Sequence, residues 1–328
     1  MGMETFTGQK LPANGDIIHL HGLTGWIGLR GLESLIPEGS RVFWTTHDLW
    51  PLSGGCIIYS GCNEFRNHCR SCPILKTGTK QWAQHELRLK FGFVKSKHIL
   101  PIANSRWMAH KNEESKVFSE VGKDEYTIVH PIIDAAYFDH HITDIRASFQ
   151  IAPGKHVLAL GARAVTDRFK GIPEFLTAFA KREKLASNCV ILLFGDGEIE
   201  LPSNLDVRPM GRLESASELA EVYFTSDVFV SPSSMETFGM AIAEAQACGT
   251  PIVAFDVGGV HDAVSDECAG YLVPDRDWEK LLDAVERALK KQAVNGGRWR
   301  VNRDWARDRF DGSVIAKRQL EVYKPGSK

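Results

Sequence analysis

Apolar runs alternate with helical stretches along the whole chain, which is the pattern of doubly wound α/β sheets. Short runs rich in β-branched residues predict strands near 16–20, 41–46, 98–103 and 126–129, with helices near 81–94 and 105–119 between them. Pro131 closes this half, and a linker follows around Asp134 to Asp144. The second half repeats the alternation more fully, with strands near 156–161, 189–194, 206–208, 227–231, 251–254 and 270–273, each followed by a helix or turn. The tail from Arg298 to Tyr323 is helical in pattern. With 328 residues there is room for about two domains with ample cores. The fold class expected is therefore α/β, with two Rossmann-like doubly wound domains over 1–138 and 139–308 and a terminal helix over 309–328.

The richest stretch runs from Ser231 to Asp262, SPSSMETFGMAIAEAQACGTPIVAFDVGGVHD. A buried strand ending at Ser231 passes into a loop, and a helix starts after Gly239 and stops at Gly249-Thr-Pro251. Ligands of open α/β sheets sit at such strand ends. The amides near Thr237, Phe238 and Gly239 are set to bind a diphosphate at the helix N-terminus. Glu236 precedes the helix and Glu244 lies inside it, so two carboxylates reach opposite ends of one extended ligand, and each suits a vicinal diol. Taken alone, such a pair reads first as a solvated helix residue, Glu244, and an N-terminal helix-dipole partner, Glu236, and it is the surrounding pattern that changes the weighting.

The Glu236-x7-Glu244 spacing resembles the signature of retaining glycosyltransferases of family 4. The likeness continues through Gly249-Thr-Pro-Ile-Val253, Gly258-Gly259, Gly270 to Pro274, Gly195-Asp-Gly197 and Leu219 to Asp227. Ile18-His-Leu-His21 and Thr46-His-Asp-Leu-Trp-Pro51 are similar to blocks of the bacterial colanic-acid-type exopolysaccharide enzymes. The resemblance implies the GT-B fold, two such domains facing a cleft, the first binding the acceptor and the second the nucleotide sugar, with the terminal helix crossing back to brace the first. It implies that Glu244 holds the ribose, Glu236 the transferred sugar, and that His47, at a strand's carboxyl end, touches that sugar. His19 and His21 share a face of one strand and rank below His47.

Two departures from the family pattern stand out. Only about fifteen residues precede the Asp16 to His21 block, so one to two βαβ units of about 30 residues each are missing, and the first domain is expected to be reduced or N-terminally truncated. In the loop Leu160 to Gly171, Lys170-Gly171 matches the family's second phosphate-clamping pair, but Ala162 follows Gly161, so the arginine role passes to Arg163 or Arg168. These cations also fit ordinary solvated loop positions. The implied reaction is metal-independent hexosyl transfer from a nucleotide-diphosphate sugar to a glycan or lipid-linked hydroxyl. In it Lys170, Arg168 and the helix amides stabilise the departing diphosphate.

Composition sets limits on this picture. With 39 basic and 41 acidic residues nothing draws the chain globally to nucleic acid, and no signal peptide or long apolar span is present, so a cytoplasmic enzyme is expected. Seven cysteines fit a reducing compartment. Cys56, Cys62, Cys69 and Cys72, spaced C-x5-C-x6-C-x2-C, leave open a structural zinc site, free thiols or disulfides. From Lys76 to His98 six Lys or Arg and one acid are interleaved with Trp82 and Phe residues, which suits an anionic membrane surface or a plain solvated helix face. A nicotinamide-dependent dehydrogenase would need a Gly-x-Gly-x-x-Gly turn, and the sequence has none. A sugar-nucleotide-binding subunit that needs a partner chain for turnover is the alternative reading.

Overall fold

A computed structural model describes residues 17–25, 27–76, 79–121, 126–138, 143–269, 271–294, 300–301 and 303–324. The segment ahead of Ile17, the middle of the expected linker at 139–142, Gly270 and the expected start of the tail at Arg298 lie outside the described residues. The described chain forms two compact units. One takes in the residues up to His130 together with those from Lys317 onward, and the other runs from Pro131 to Ala316.

The first unit contains β1 (Ile17–Leu20), α1 (Leu29–Leu35), β2 (Arg41–Thr46), α2 (Lys80–Ser96), β3 (Leu100–Ala103), α3 (Arg106–Glu114) and β4 (Thr127–Ile128). Its sheet runs β1-β2-β3-β4, parallel throughout. A parallel sheet is covered on both faces and so needs continuous apolar strands. β2, RVFWTT, accordingly has all but Arg41 buried, and Trp44 packs edge-on against Trp50 and Phe93. Helix α3 starts where the Ser105 hydroxyl accepts the Met108 N–H, and it ends at Glu114, short of the expected 119. There the Ser115 hydroxyl donates to the Leu52 carbonyl and accepts from Val117 N–H, turning the chain out of the helix. The short α1 was not anticipated, because only Leu29 and Leu32 mark its buried face.

The second unit contains β5 (His156–Ala164), α4 (Ile172–Ala180), α5 (Glu183–Ala186), β6 (Cys189–Asp196), β7 (Asp206–Gly211), α6 (Ala216–Thr225), β8 (Val228–Ser231), α7 (Met240–Ala247) and β9 (Ile252–Phe255). It continues through α8 (Val260–Ala263), α9 (Asp266–Ala269), β10 (Leu272–Val273), α10 (Trp278–Val294) and α11 (Arg303–Phe310), and α12 (Gly312–Val322) ends the chain's helices. The parallel sheet has the order β10-β9-β8-β5-β6-β7. All of β8 and β9 and the first six residues of β6 are buried. Asp227, just ahead of β8, accepts from the Val157 N–H at 2.8 Å and from Arg146 at 2.9 Å, tying β8 to β5.

Residues 131–138, assigned by sequence to the first domain, pack into the second core through Ile133, Tyr137 and Phe138, and Ile133 N–H donates to the Phe310 carbonyl at 3.0 Å. The helical tail is two helices, separated at Asp311, whose carboxylate accepts from both N–H and O–H of Ser313. From Lys317 onward α12 belongs to the first unit, where the Tyr323 ring lies 5.3 Å from Phe43. No described helix is long and apolar enough to cross a membrane. In the second sheet the chain leaves β5 outward through β6 and β7, then returns to β8 on the other side of β5. This reversal is a topological switch point, where the loops after adjacent strands diverge and leave a crevice.

Candidate functional site

Three loops meet at the carboxyl ends of β5, β8 and β9. After β5 the Asp167 carboxylate accepts the Phe169 N–H at 2.9 Å and its carbonyl accepts the Lys170 N–H at 2.9 Å, a local turn that fixes Lys170 at the loop's end. Gly171 follows with φ 62°, and a Cβ there would stand 2.3 Å from the Pro232 carbonyl oxygen, so only glycine allows the β8 loop to come this close. Ser234 N–H then donates to the Phe169 carbonyl at 2.8 Å. This clasp brings the Lys170 Nζ to 2.7 Å from Glu236 Oε1, with the two side chains 29% and 17% exposed.

Glu236 is held from behind as well. Its carbonyl accepts the Gly259 N–H at 2.9 Å, and a Cβ on Gly258 (φ 55°) would fall 1.9 Å from that same oxygen. Helix α7 begins beyond it at Gly239, whose carbonyl accepts from Ile242 and Ala243. Thr237 is half-buried in the intervening loop, whereas the Phe238 side chain is core, edge-on to Phe310. Arg163, near the end of β5, is exposed. Arg168, two residues before Lys170, is exposed too, with its guanidinium 4.7 Å from the Phe169 ring. The structure thus joins Lys170 to Glu236 directly and keeps Arg168 on the same loop.

Glu244 sits just over one turn into α7. Burial pushes its carboxyl up to about 7, the hydrogen bond from the Tyr223 hydroxyl (3.3 Å) pulls it down, and the nearby charge of Asp134 pushes it further up. Tyr223 and Tyr137, whose rings lie 6.2 Å apart, were not found from sequence. The available signal was an aromatic with a polar tip on the buried face of a helix.

In the first unit His47 follows β2, and its carbonyl accepts from the Asn104 amide at 3.3 Å. His21 Nδ1 is 2.9 Å from His47 Nε2, and the His19 and His21 ring centroids lie 4.0 Å apart with the planes tilted by 47°, so the two do share a face. His19 also bonds the Thr45 hydroxyl at 2.6 Å and the Tyr323 hydroxyl. Desolvation first, and the neighbouring imidazoles second, hold His19 and His47 down to about 4. Asp48 accepts the Trp50 N–H at 2.7 Å.

Of the three readings left open for the cysteine cluster, the described residues give zinc no support. Cys56, Cys62 and Cys69 line one small cavity with Ser53, Tyr59 and Phe65, yet no group of three or more His, Cys, Asp or Glu among the described residues is placed to hold a metal ion. All seven cysteines are free. Burial raises the Cys56 and Cys69 thiols, Cys69 to about 11. A buried lysine clips this loop instead. Lys90 Nζ donates to the carbonyls of Trp50 (2.6 Å) and Ser53 (2.7 Å) and lies 3.9 Å from the Trp50 ring centre.

The chain is similar in sequence and in fold to known proteins. Residues 154–291 match the family Glycosyl transferases group 1. Lys170, Glu236 and Glu244 lie within the matched residues. D-inositol 3-phosphate glycosyltransferase of Saccharomonospora viridis is 40% identical over 111 residues, 34% of this chain and 26% of that protein. N-acetyl-alpha-D-glucosaminyl L-malate synthase of Bacillus anthracis is 23% identical over 244 residues, 72% of this chain and 61% of that protein. The chain therefore spans less than two thirds of these relatives. Among solved structures, Anabaena HepE in complex with UDP superposes with a TM-score of 0.67 at 18% identity, over 94% of this chain and 78% of that one. This likeness shows the fold, two parallel-sheet α/β domains of the GT-B type.

Proposed function

We propose that the protein is a retaining hexosyltransferase that moves a sugar from a nucleotide-diphosphate donor to a hydroxyl acceptor in polysaccharide or glycolipid synthesis. The observation that carries this reading is the Lys170–Glu236 pair, 2.7 Å apart at the switch point of the second sheet, with Glu244 on the helix that starts beside it. Each charge keeps the other half-buried, and both have capacity left. The ammonium has donors to spare for a phosphate, and the carboxylate has acceptor sites to spare for sugar hydroxyls.

In this reading the diphosphate lies against Lys170, Arg168 and the N-terminus of α7, with Arg163 farther out. Glu244 takes the ribose and Glu236 the transferred sugar. As the glycosidic bond breaks, negative charge builds on the leaving phosphate, where fixed cations and amides stabilise it more than they stabilise the ground state. The acceptor hydroxyl attacks from the same face and passes its proton to the departing phosphate, so no separate general base is required. His47 contacts the transferred sugar, a role that rests on resemblance alone. The Anabaena relative's complexes with UDP and UDP-glucose make a uridine donor the first to try.

The test is a calorimetric panel of UDP, GDP, ADP and their sugar conjugates against the chain and Glu244→Ala, followed by nucleotide release with glycan and lipid-linked acceptors. Selective binding lost in the variant, with turnover and a retained anomeric configuration, supports the proposal. Binding of none of the panel ends it, and binding without turnover favours the partner-dependent subunit.

A second element of the reading is contact with an anionic membrane through α2. Trp82 is 56% exposed, and Arg88 and Lys95 are exposed on the same helix. The surface is less basic than the sequence suggests, since Lys90 is buried and Lys97 donates to the Ile36 carbonyl. Sedimentation with phosphatidylglycerol vesicles at low salt tests it, and no binding there leaves α2 a solvated face.

A further inference from the structure

Tyr223 is the second largest of the fully buried side chains, at 0% exposure. Its ring is gripped edge-on by Phe229 (5.1 Å) and Phe194 (5.8 Å) and tilted against Tyr137. Its backbone is fixed as well, the carbonyl accepting the Thr250 hydroxyl at 2.6 Å and the Ser226 N–H at 3.1 Å. Phenylalanine would fill the same space, so packing does not account for the hydroxyl. A buried O–H costs free energy unless it donates, and this one donates to Glu244 Oε2.

Resting on the reading of Glu244 as the ribose ligand, we propose that Tyr223 is a positioning residue of the donor site. Its hydroxyl holds one carboxylate oxygen of Glu244, leaving the other to accept from the ribose diol of a nucleoside diphosphate. The carboxylate form has to be available, and the surroundings pull both ways. Burial and Asp134 oppose ionisation, while Tyr223 favours it. Tyr137 and Cys248 also face the Glu244 carboxyl, and Arg303 and Arg300 lie near Cys248. Burial holds the Tyr223 phenol far above its ordinary range, so it remains a donor at every working pH.

The experiment is calorimetric titration of the full chain with UDP, GDP and ADP between about pH 5.5 and 9, for wild type, Tyr223→Phe and Glu244→Gln. In wild type, affinity rises with pH as Glu244 ionises. Any pH dependence that survives in Glu244→Gln belongs to the nucleotide's own phosphate. Tyr223→Phe is expected to weaken binding about tenfold on the alkaline plateau and to move the Glu244-dependent midpoint upward. Glu244→Asp, which withdraws the carboxylate from the hydroxyl, is expected to move it the same way and decides the matter if Tyr223→Phe melts early. A Tyr223→Phe curve superimposed on wild type, with Glu244→Gln altered, overturns this proposal alone. A Glu244→Gln curve superimposed on wild type, or no binding by wild type, overturns the donor-site reading and this proposal with it.

Discussion

A methyl group at position 258 tests whether the β9 loop sets the position of Glu236. In Gly258→Ala the new Cβ would stand 1.9 Å from the Glu236 carbonyl oxygen, roughly 1.5 Å short of ordinary contact, so backbone has to move. The left-handed φ of 55° adds about 1 kcal/mol for a residue with a side chain. Displacing the carbonyl weakens its bond to the Gly259 N–H, about 1 kcal/mol more. A loss of about 2–3 kcal/mol corresponds to a fall in Tm of about 4–12 °C for a unit of this size. Gly154→Ala is the control, since Gly154 has φ 85° and nothing within 4 Å of its Cβ position, and its fall should be only about 2–4 °C. The two are compared by scanning fluorimetry, and sugar-nucleotide and bare nucleotide affinities are measured alongside. Gly258→Ala should weaken the sugar nucleotide about tenfold and leave the bare nucleotide nearly unchanged, because Glu236 is assigned to the sugar. If Gly258→Ala melts with Gly154→Ala and binds sugar nucleotide normally, the reasoning is wrong.

Lys170→Met removes one partner of a pair exposed by less than a third, so Tm should shift by only about 2–4 °C while diphosphate affinity falls at least about tenfold, as read by fluorimetry and calorimetry. Lys90→Met leaves the Trp50 and Ser53 carbonyls without their donor, and chemical denaturation should show a loss of about 2–4 kcal/mol in the first unit. His19 and His47 are neutral in the folded state down to about 4. Their contribution to stability is thus fully present above the unfolded value of about 6.5 and is lost as pH falls from there towards 4. Melting curves at about pH 7.5 and 5 should show a drop that His47→Gln reduces, and an equal drop in both proteins would count against it.

Much of the second unit could be read from the sequence, since buried parallel strands such as CVILLF and IVAF are continuous apolar runs that loops cannot imitate. Lys170, Glu236 and Glu244 stood out because the Glu236-x7-Glu244 spacing and the Lys170-Gly171 pair resemble a family pattern, the charges alone being open to ordinary surface readings. Lys90 did not, since a lysine on an amphipathic helix looks like any other surface cation until the carbonyls it meets 40 residues away are known. Tyr223 was hidden for the complementary reason, its ring matching the apolar pattern and its hydroxyl leaving no trace in it. For the cysteines, spacing constrains only distance along the chain, which leaves their pairing and ligation unspecified.

The division of the chain bears on the order of folding during synthesis. The second unit is one contiguous run, Pro131 to Ala316, so its core can close once that run has left the ribosome. The first unit is not contiguous. Its β1 histidine, His19, waits for a tyrosine 304 residues later, and Arg41 for the carbonyl of that same tyrosine. Of the two units, the one whose strands come earlier in this sequence is therefore the one completed last, when α12 supplies its final contacts.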